Sequence, residues 1–197
     1  MNDPGQPRLV ATDLACRRGD RVLFRSLSLS VNSGEALHVT GANGIGKSSL
    51  LRIVAGLLTP FAGKVASKGM IGLVDERPAL DPELPLGKTL DFWRGIDGAA
   101  TDGEALTALG LEPLLDIPVR YLSTGQRKRA ALARLMSQGA PIWLLDEPLN
   151  GLDRDAVAMV EGLVAGHCKA GGLAVIASHQ PVAIEGLREL ALEEYAA

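Results

Sequence analysis

Gly41-Ala42-Asn43-Gly44-Ile45-Gly46-Lys47-Ser48 fits G-x-x-x-x-G-K-[ST] at every fixed position. In this pattern, glycines leave no Cβ between the backbone and a ligand, so successive N–H groups can converge on phosphate oxygens. Lys47 is expected to reach the β- and γ-phosphates, and the Ser48 hydroxyl to ligate Mg2+. Ser49 continues the run of N–H groups. ATP and Mg2+ are thus the expected cofactors. The flanks set this apart from a glycine-rich turn with an exposed lysine. Leu37 to Thr40, with His38 its only strongly polar member, reads as a short buried strand. From Ser49 to Leu58, apolar residues at Leu50, Leu51, Ile53, Val54, Leu57 and Leu58 have helical spacing. The start of such a helix adds a positive dipole end beside the bound anion.

A second chemical pair lies at the end of another apolar run. Ile142, Trp143, Leu144 and Leu145 lead into Asp146 and Glu147, and Pro148 stops the run. A strand buried on both faces of a parallel sheet reads this way, and ligands of α/β proteins gather at the carboxyl ends of such strands. Asp146 is expected to hold Mg2+ through water, and Glu147 to polarise the attacking water as general base. Paired acids at a strand end say little alone. Downstream of the glycine loop, they indicate nucleotide hydrolysis.

Leu122-Ser123-Thr124-Gly125-Gln126 resembles the LSGGQ signature of ATP-binding cassette (ABC) ATPases, with Thr124 in place of the first glycine of the pair. By itself the pentapeptide also suits an ordinary helix cap, because Ser and Thr are preferred there. Arg127, Lys128 and Arg129 follow, and an apolar-periodic run through Leu135 reads as a helix. The resemblance extends from about Leu9 to His179. It implies that Ser123, Gly125 and Gln126 address the γ-phosphate of ATP held by a second cassette. Asp153 in Asn150-Gly151-Leu152-Asp153 matches the family's D-loop aspartate. His179, after the apolar strand Leu173 to Ala177, matches its switch histidine. The implied fold is α/β: a P-loop NTPase cassette with a mostly parallel core sheet, antiparallel N-terminal strands and an inserted helical subdomain. The implied activity is ATP hydrolysis by a closed pair of cassettes, most simply a homodimer, coupled to membrane permease subunits.

Two family features are missing. No glutamine stands in Ile71 to Pro78, where the family has one at a strand end; Glu76 or Arg77 would take its place. No aromatic residue stands in Cys16-Arg17-Arg18-Gly19, where the family stacks one on adenine, so an arginine is the candidate to stack there.

The elements that must position these residues fit one chain unit of 197 residues, 47% hydrophobic and 22% charged. The expected core covers about 1–85 and 140–197, and the helical subdomain about 86–139. Pro78 to Gly87, carrying Pro78, Pro82 and Pro85, reads as the hinge or coupling loop between them. No regulatory domain is expected after His179. A net charge of −3 and a pI near 5.6 give no sign of nucleic-acid binding. Arg127 to Arg129 read as a solvated face, with a place near the partner's phosphates as the alternative. Cys16 and Cys168 stand in unrelated contexts, which suggests a reducing compartment and no zinc site. The polar start MNDPGQPR shows no secretory signal. No apolar run approaches the roughly 20 residues that span a bilayer. The expected location is the cytoplasmic face of the inner membrane, reached through partner subunits.

Within the family, Pro118 to Arg129, Arg21-Val22-Leu23-Phe24 and Thr89-Leu90-Asp91-Phe92-Trp93 are similar to the haem-exporter cassettes of cytochrome c maturation. The alternatives are an ATPase of lipoprotein or peptide export, a soluble ABC-type regulator, and a small-molecule P-loop kinase.

Overall fold

The computed structural model describes residues 5–98 and 103–197. The first four residues of the polar N-terminal stretch, and 99–102 of the expected helical subdomain, lie outside the described residues.

Two sheets carry the fold. Strands β1 (Arg8–Arg18) and β2 (Arg21–Asn32) form an antiparallel hairpin, joined on β1's other edge by β4 (Ala62–Lys68). The second sheet has the order β5-β6-β7-β3-β8 and is parallel throughout. Its members are β3 (Ala36–Thr40), β5 (Ile71–Val74), β6 (Ile142–Asp146), β7 (Leu173–Ala177) and β8 (Arg188–Ala191). Both β6 and β7 are buried at every residue, as their unbroken apolar runs require.

The period of two along these strands divides the core. Ile142 and Leu144, Leu173 and Val175, and Leu37 and Val39 face the layer containing α1 (Lys47–Val54) and the N-terminal hairpin. Trp143 and Leu145, Ala174 and Ile176 face the opposite layer, with α4 (Thr124–Ser137) and α5 (Arg154–Lys169). The central strand ends are thereby gripped from both sides.

Helix α1 is shorter than the apolar spacing predicts. It ends at Val54, and Gly56 takes φ +75°, a left-handed conformation that terminates a helix. Leu57 is left exposed, and Leu58 folds back against the core. Between β5 and β6 the chain is helical: α2 (Leu86–Asp97), α3 (Gly103–Ala108), two single 3-10 turns and α4. The proline-bearing loop is tied to the segment before the signature. Val119 N–H donates to Leu84 C=O, Arg120 N–H to Pro82 C=O, and Leu86 N–H to Ile117 C=O. Trp93 Nε1 donates to Ala79 C=O at 2.6 Å. Gly72 allows α4 to approach β5, since a Cβ there would fall 2.2 Å from Leu135 Cδ1.

Candidate active site

The glycine loop joins β3 to α1. Its three glycines have φ of +141° (Gly41), +79° (Gly44) and +124° (Gly46), so the loop path belongs to glycine at each of them. Lys47 is buried and turns back over the loop, where its Nζ donates to Gly41 C=O at 2.7 Å and to Ala42 C=O at 3.4 Å. Gly44, Gly46, Lys47, Ser48 and Ser49 line a cleft of about 550 Å³. Asn43, Glu76, Glu147 and Asn150 line it too, and its other wall is Arg18, Arg21 and Leu23.

At the end of β6, Asp146 and Glu147 are both buried. Glu147 has φ +48°, a left-handed backbone for a non-glycine residue, which costs about 1–3 kcal/mol and collects at functional sites. Neighbouring strands hold it there: its N–H donates to Ala177 C=O on β7 at 2.8 Å. The kink aims its carboxylate at two partners. Oε1 lies 3.4 Å from Lys47 Nζ, and Oε2 lies 3.0 Å from His179 Nδ1. The expected lysine, base and switch histidine therefore meet around one carboxylate, although 132 positions separate Lys47 from His179. That chain, Lys47 to Glu147 to His179, sets a carboxylate between a cation and an imidazole.

Asp146 is placed differently. The Ser48 side chain lies beside its carboxylate. Its Oδ1 is buried and has no hydrogen-bond partner among the described residues. Burial raises its pKa above the usual carboxylate value; the Ser48 side chain opposes the rise, and the nearby charges of Asp75, Glu76 and Glu147 add to it. A buried carboxylate oxygen without a donor is costly unless a cation meets it. Ser48 and Asp146 thus fit Mg2+. No cluster of three or more His, Cys, Asp or Glu suited to a metal occurs among the described residues. Mg2+ does not need one, since it commonly takes one or two carboxylates and completes its shell with phosphate oxygens and water.

The remaining predicted residues gather elsewhere. Ser123, Gly125, Gln126 and Asp153 line a separate cleft of about 270 Å³ that shares no residue with the first. Ser123 caps α4: its Oγ accepts from Gln126 N–H at 3.2 Å, while Gln126 Oε1 accepts from Ser123 N–H at 2.8 Å. The cap reading of LSTGQ is thus realised in the chain. Asp153 caps α5 by accepting from Ala156 N–H at 2.8 Å. Ala42 and Ile45 serve the loop from within: Ile45 N–H donates to Ala42 C=O, and Ala42 N–H to Glu193 Oε1 at 2.8 Å.

Where the family glutamine is missing, the two candidates separate. Glu76 faces the loop cleft, and Arg77 faces a groove on the far side with Pro78, Leu80 and Arg134. Arg18, in the stretch without an aromatic, lies opposite Arg21 across the β1–β2 hairpin, and both line the loop cleft.

Comparisons with known proteins identify the family. Residues 24–150 match the family described as ABC transporter. The chain belongs to the ABC transporter family. A cytochrome c biogenesis ATP-binding export protein, CcmA, from Novosphingobium aromaticivorans is 61% identical over 95% of this chain and 96% of its own. A protein of the same name from Zymomonas mobilis is 48% identical, covering 100% of this chain and 90% of its own. An ATP-binding cassette solved as a dimer in a post-hydrolysis state with ADP and phosphate is similar in fold. It is 22% identical with a TM-score of 0.74, over 87% of this chain and 88% of that one. The P-loop cassette fold and ATP hydrolysis expected from the three motifs are thereby shown. No helix among the described residues is long and apolar enough to cross a membrane.

Two contributors were missed in the sequence. Lys128 was assigned to a solvated face, yet it is 8% exposed. The signal existed: Lys128, Ala131, Leu132 and Leu135 share one helix face at i, i+3, i+4 and i+7. Arg129 is also engaged, donating to Leu109 C=O at 2.7 Å. Glu193 gave no such signal, because its contact with the glycine loop depends on β8 pairing with β3.

Proposed function

We propose that this chain is the ATPase subunit of a haem-exporter-type complex serving cytochrome c biogenesis. The observation that carries this reading is the 61% identity, over 95% of the chain, to a protein named for ATP-dependent export in that process. The chain acts as one cassette, with a nucleotide-binding core at about 1–85 and 140–197 and a helical subdomain at about 86–139. Its partners are a second copy and integral membrane permease subunits, with no nucleic acid. It sits at the cytoplasmic face of the inner membrane.

Each ATP lies between Lys47 and Ser48 of one copy and Ser123 and Gly125 of the other. Two separate clefts in one chain support this division, because the glycine-loop residues line one and the signature residues line the other. The N–H groups from Gly44 to Ser49 hold the β- and γ-phosphates. Lys47 exchanges its bond to Gly41 C=O for a phosphate oxygen. Ser48 and Asp146 would hold Mg2+, which would offset phosphate charge as the bond to the γ-phosphate breaks. Glu147 accepts the proton of the attacking water, and His179 fixes the carboxylate's orientation from the other side. Preorganised N–H groups and Lys47 supply most of the barrier reduction, because negative charge grows where they point.

The test is a pull-down of tagged Glu147→Gln protein from membranes with ATP present. The expected companions are small multispanning subunits of cytochrome c maturation. A different permease would transfer the reading to another export system. Absence of any membrane protein would overturn it.

A further inference from the structure

The main-chain carbonyl of Glu147 has an unusual donor. Lys128, on α4, hydrogen-bonds it through Nζ. Lys128 is 8% exposed, and no carboxylate lies within salt-bridge distance of it among the described residues. Burial lowers its pKa, against the opposing pull of Glu147, Glu76 and Asp146. A lysine kept in such a place, with a carbonyl as its named acceptor, is costly for folding alone. The carbonyl it holds belongs to the one non-glycine residue of β6 and its following turn with a left-handed backbone. Its other donor is Asn150 N–H, at a long 3.4 Å.

We propose that Lys128 is a positioning residue for hydrolysis, fixing the strained Glu147 peptide so that its carboxylate stays between Lys47 and His179. The inference rests on the reading of Glu147 as general base. The geometry explains why a lysine is needed. A residue at φ +48° relaxes by rotating its flanking peptides, and the carbonyl is the handle of that rotation. Three elements pin the residue: β7 through Ala177 C=O, the following turn through Asn150 N–H, and α4 through Lys128. Only the last comes from the helix capped by Ser123. The helix that carries the signature therefore also sets the carboxylate of its own chain's site.

The experiment measures ATP hydrolysis by the chain assembled with its membrane partners, for Lys128→Met and Lys128→Gln. Met keeps the buried stem without the donor, and Gln keeps an N–H donor. Lys128→Met is expected to lower kcat about tenfold or more with KM for ATP within about twofold, as loss of alignment alone does. Lys128→Gln should recover most of that loss. In a Glu147→Gln background, Lys128→Met should change the residual rate by less than about twofold, because the group it aligns is gone. Turnover of Lys128→Met near wild type would overturn the proposal. So would an equal loss in the Glu147→Gln background, or a failure of both variants to fold and bind ATP, which would make Lys128 a folding residue. Normal turnover by Glu147→Gln itself would instead sink the general-base reading.

Discussion

At the residue scale, the site holds one group whose burial opposes stability. Asp146 is 3% exposed with an unpartnered oxygen. Its pKa is raised in the fold above 3.8, so the folded state favours the protonated acid. The sign follows: its contribution to stability is full below pH 3.8 and is lost as pH rises through the folded pKa. At neutral pH the ionised acid is a cost. Asp146→Asn should therefore melt higher than wild type without nucleotide at pH 7. Neutralising the buried, unpartnered carboxylate is worth about 1–3 kcal/mol, and each kcal/mol moves Tm by about 2–4 °C at this size. The advantage should shrink to nothing below pH 4. The same variant should lose the extra stabilisation that Mg2+ adds to ATP, whereas wild type with chelator should resemble it. Melting curves with and without Mg-ATP from pH 4 to 8 decide this. An Asn variant melting at or below wild type at pH 7 would show that the site satisfies Asp146 without a metal.

At the element scale, what was legible followed from period and punctuation. The strands at β3, β6 and β7 were readable because burial on both faces leaves an unbroken apolar run. The glycine loop was readable because its path needs glycine at fixed places. Illegible parts depend on pairing across the chain. The tail strand β8 is half exposed and acquires its place only from β3, which then brings Glu193 to the loop. The left-handed turn at Glu147 is imposed by β7, and a glutamate does not announce it. The end of α1 at Val54 was overrun because apolar spacing continues past Gly56. Contact between α4 and β5 belongs here too, since nothing at Gly72 marks it in sequence. Gly72→Ala places a methyl 2.2 Å from Leu135 Cδ1 and 3.1 Å from Ala140 Cβ. Leu135 is 2% exposed and its Cδ1 must shift to admit the methyl, so overpacking should cost about 1–3 kcal/mol in urea unfolding. Leu135→Ala alone should also destabilise, yet combined with Gly72→Ala the two costs should fall short of their sum. Full additivity would show that α4 shifts freely against the sheet.

At the scale of the whole molecule, the chain presents two clefts that share no lining residue. The loop cleft offers N–H groups, Lys47 and Glu147; the other offers a helix start and the cap of α5. A helix N-terminus attracts a phosphate, but this one already spends the Ser123 side chain on its own cap. Engaging a partner's γ-phosphate would draw on unspent N–H groups or open that cap. A mixing experiment tests the division. Lys47→Ala should disable the loop of its own copy, and Ser123→Arg should block the signature that serves its neighbour. Neither homodimer should then turn over ATP. In a mixed dimer, however, the intact loop of the Ser123→Arg copy faces the intact signature of the Lys47→Ala copy. One complete site is restored, and hydrolysis should reappear on mixing, rising with the fraction of mixed pairs. If both residues served the same ATP within one chain, every copy in the mixture would carry a broken site and no activity would return. Recovery would thus assign Lys47 and Ser123 to opposite sides of one nucleotide, and continued silence would return the signature to the role it already fills, that of a helix cap.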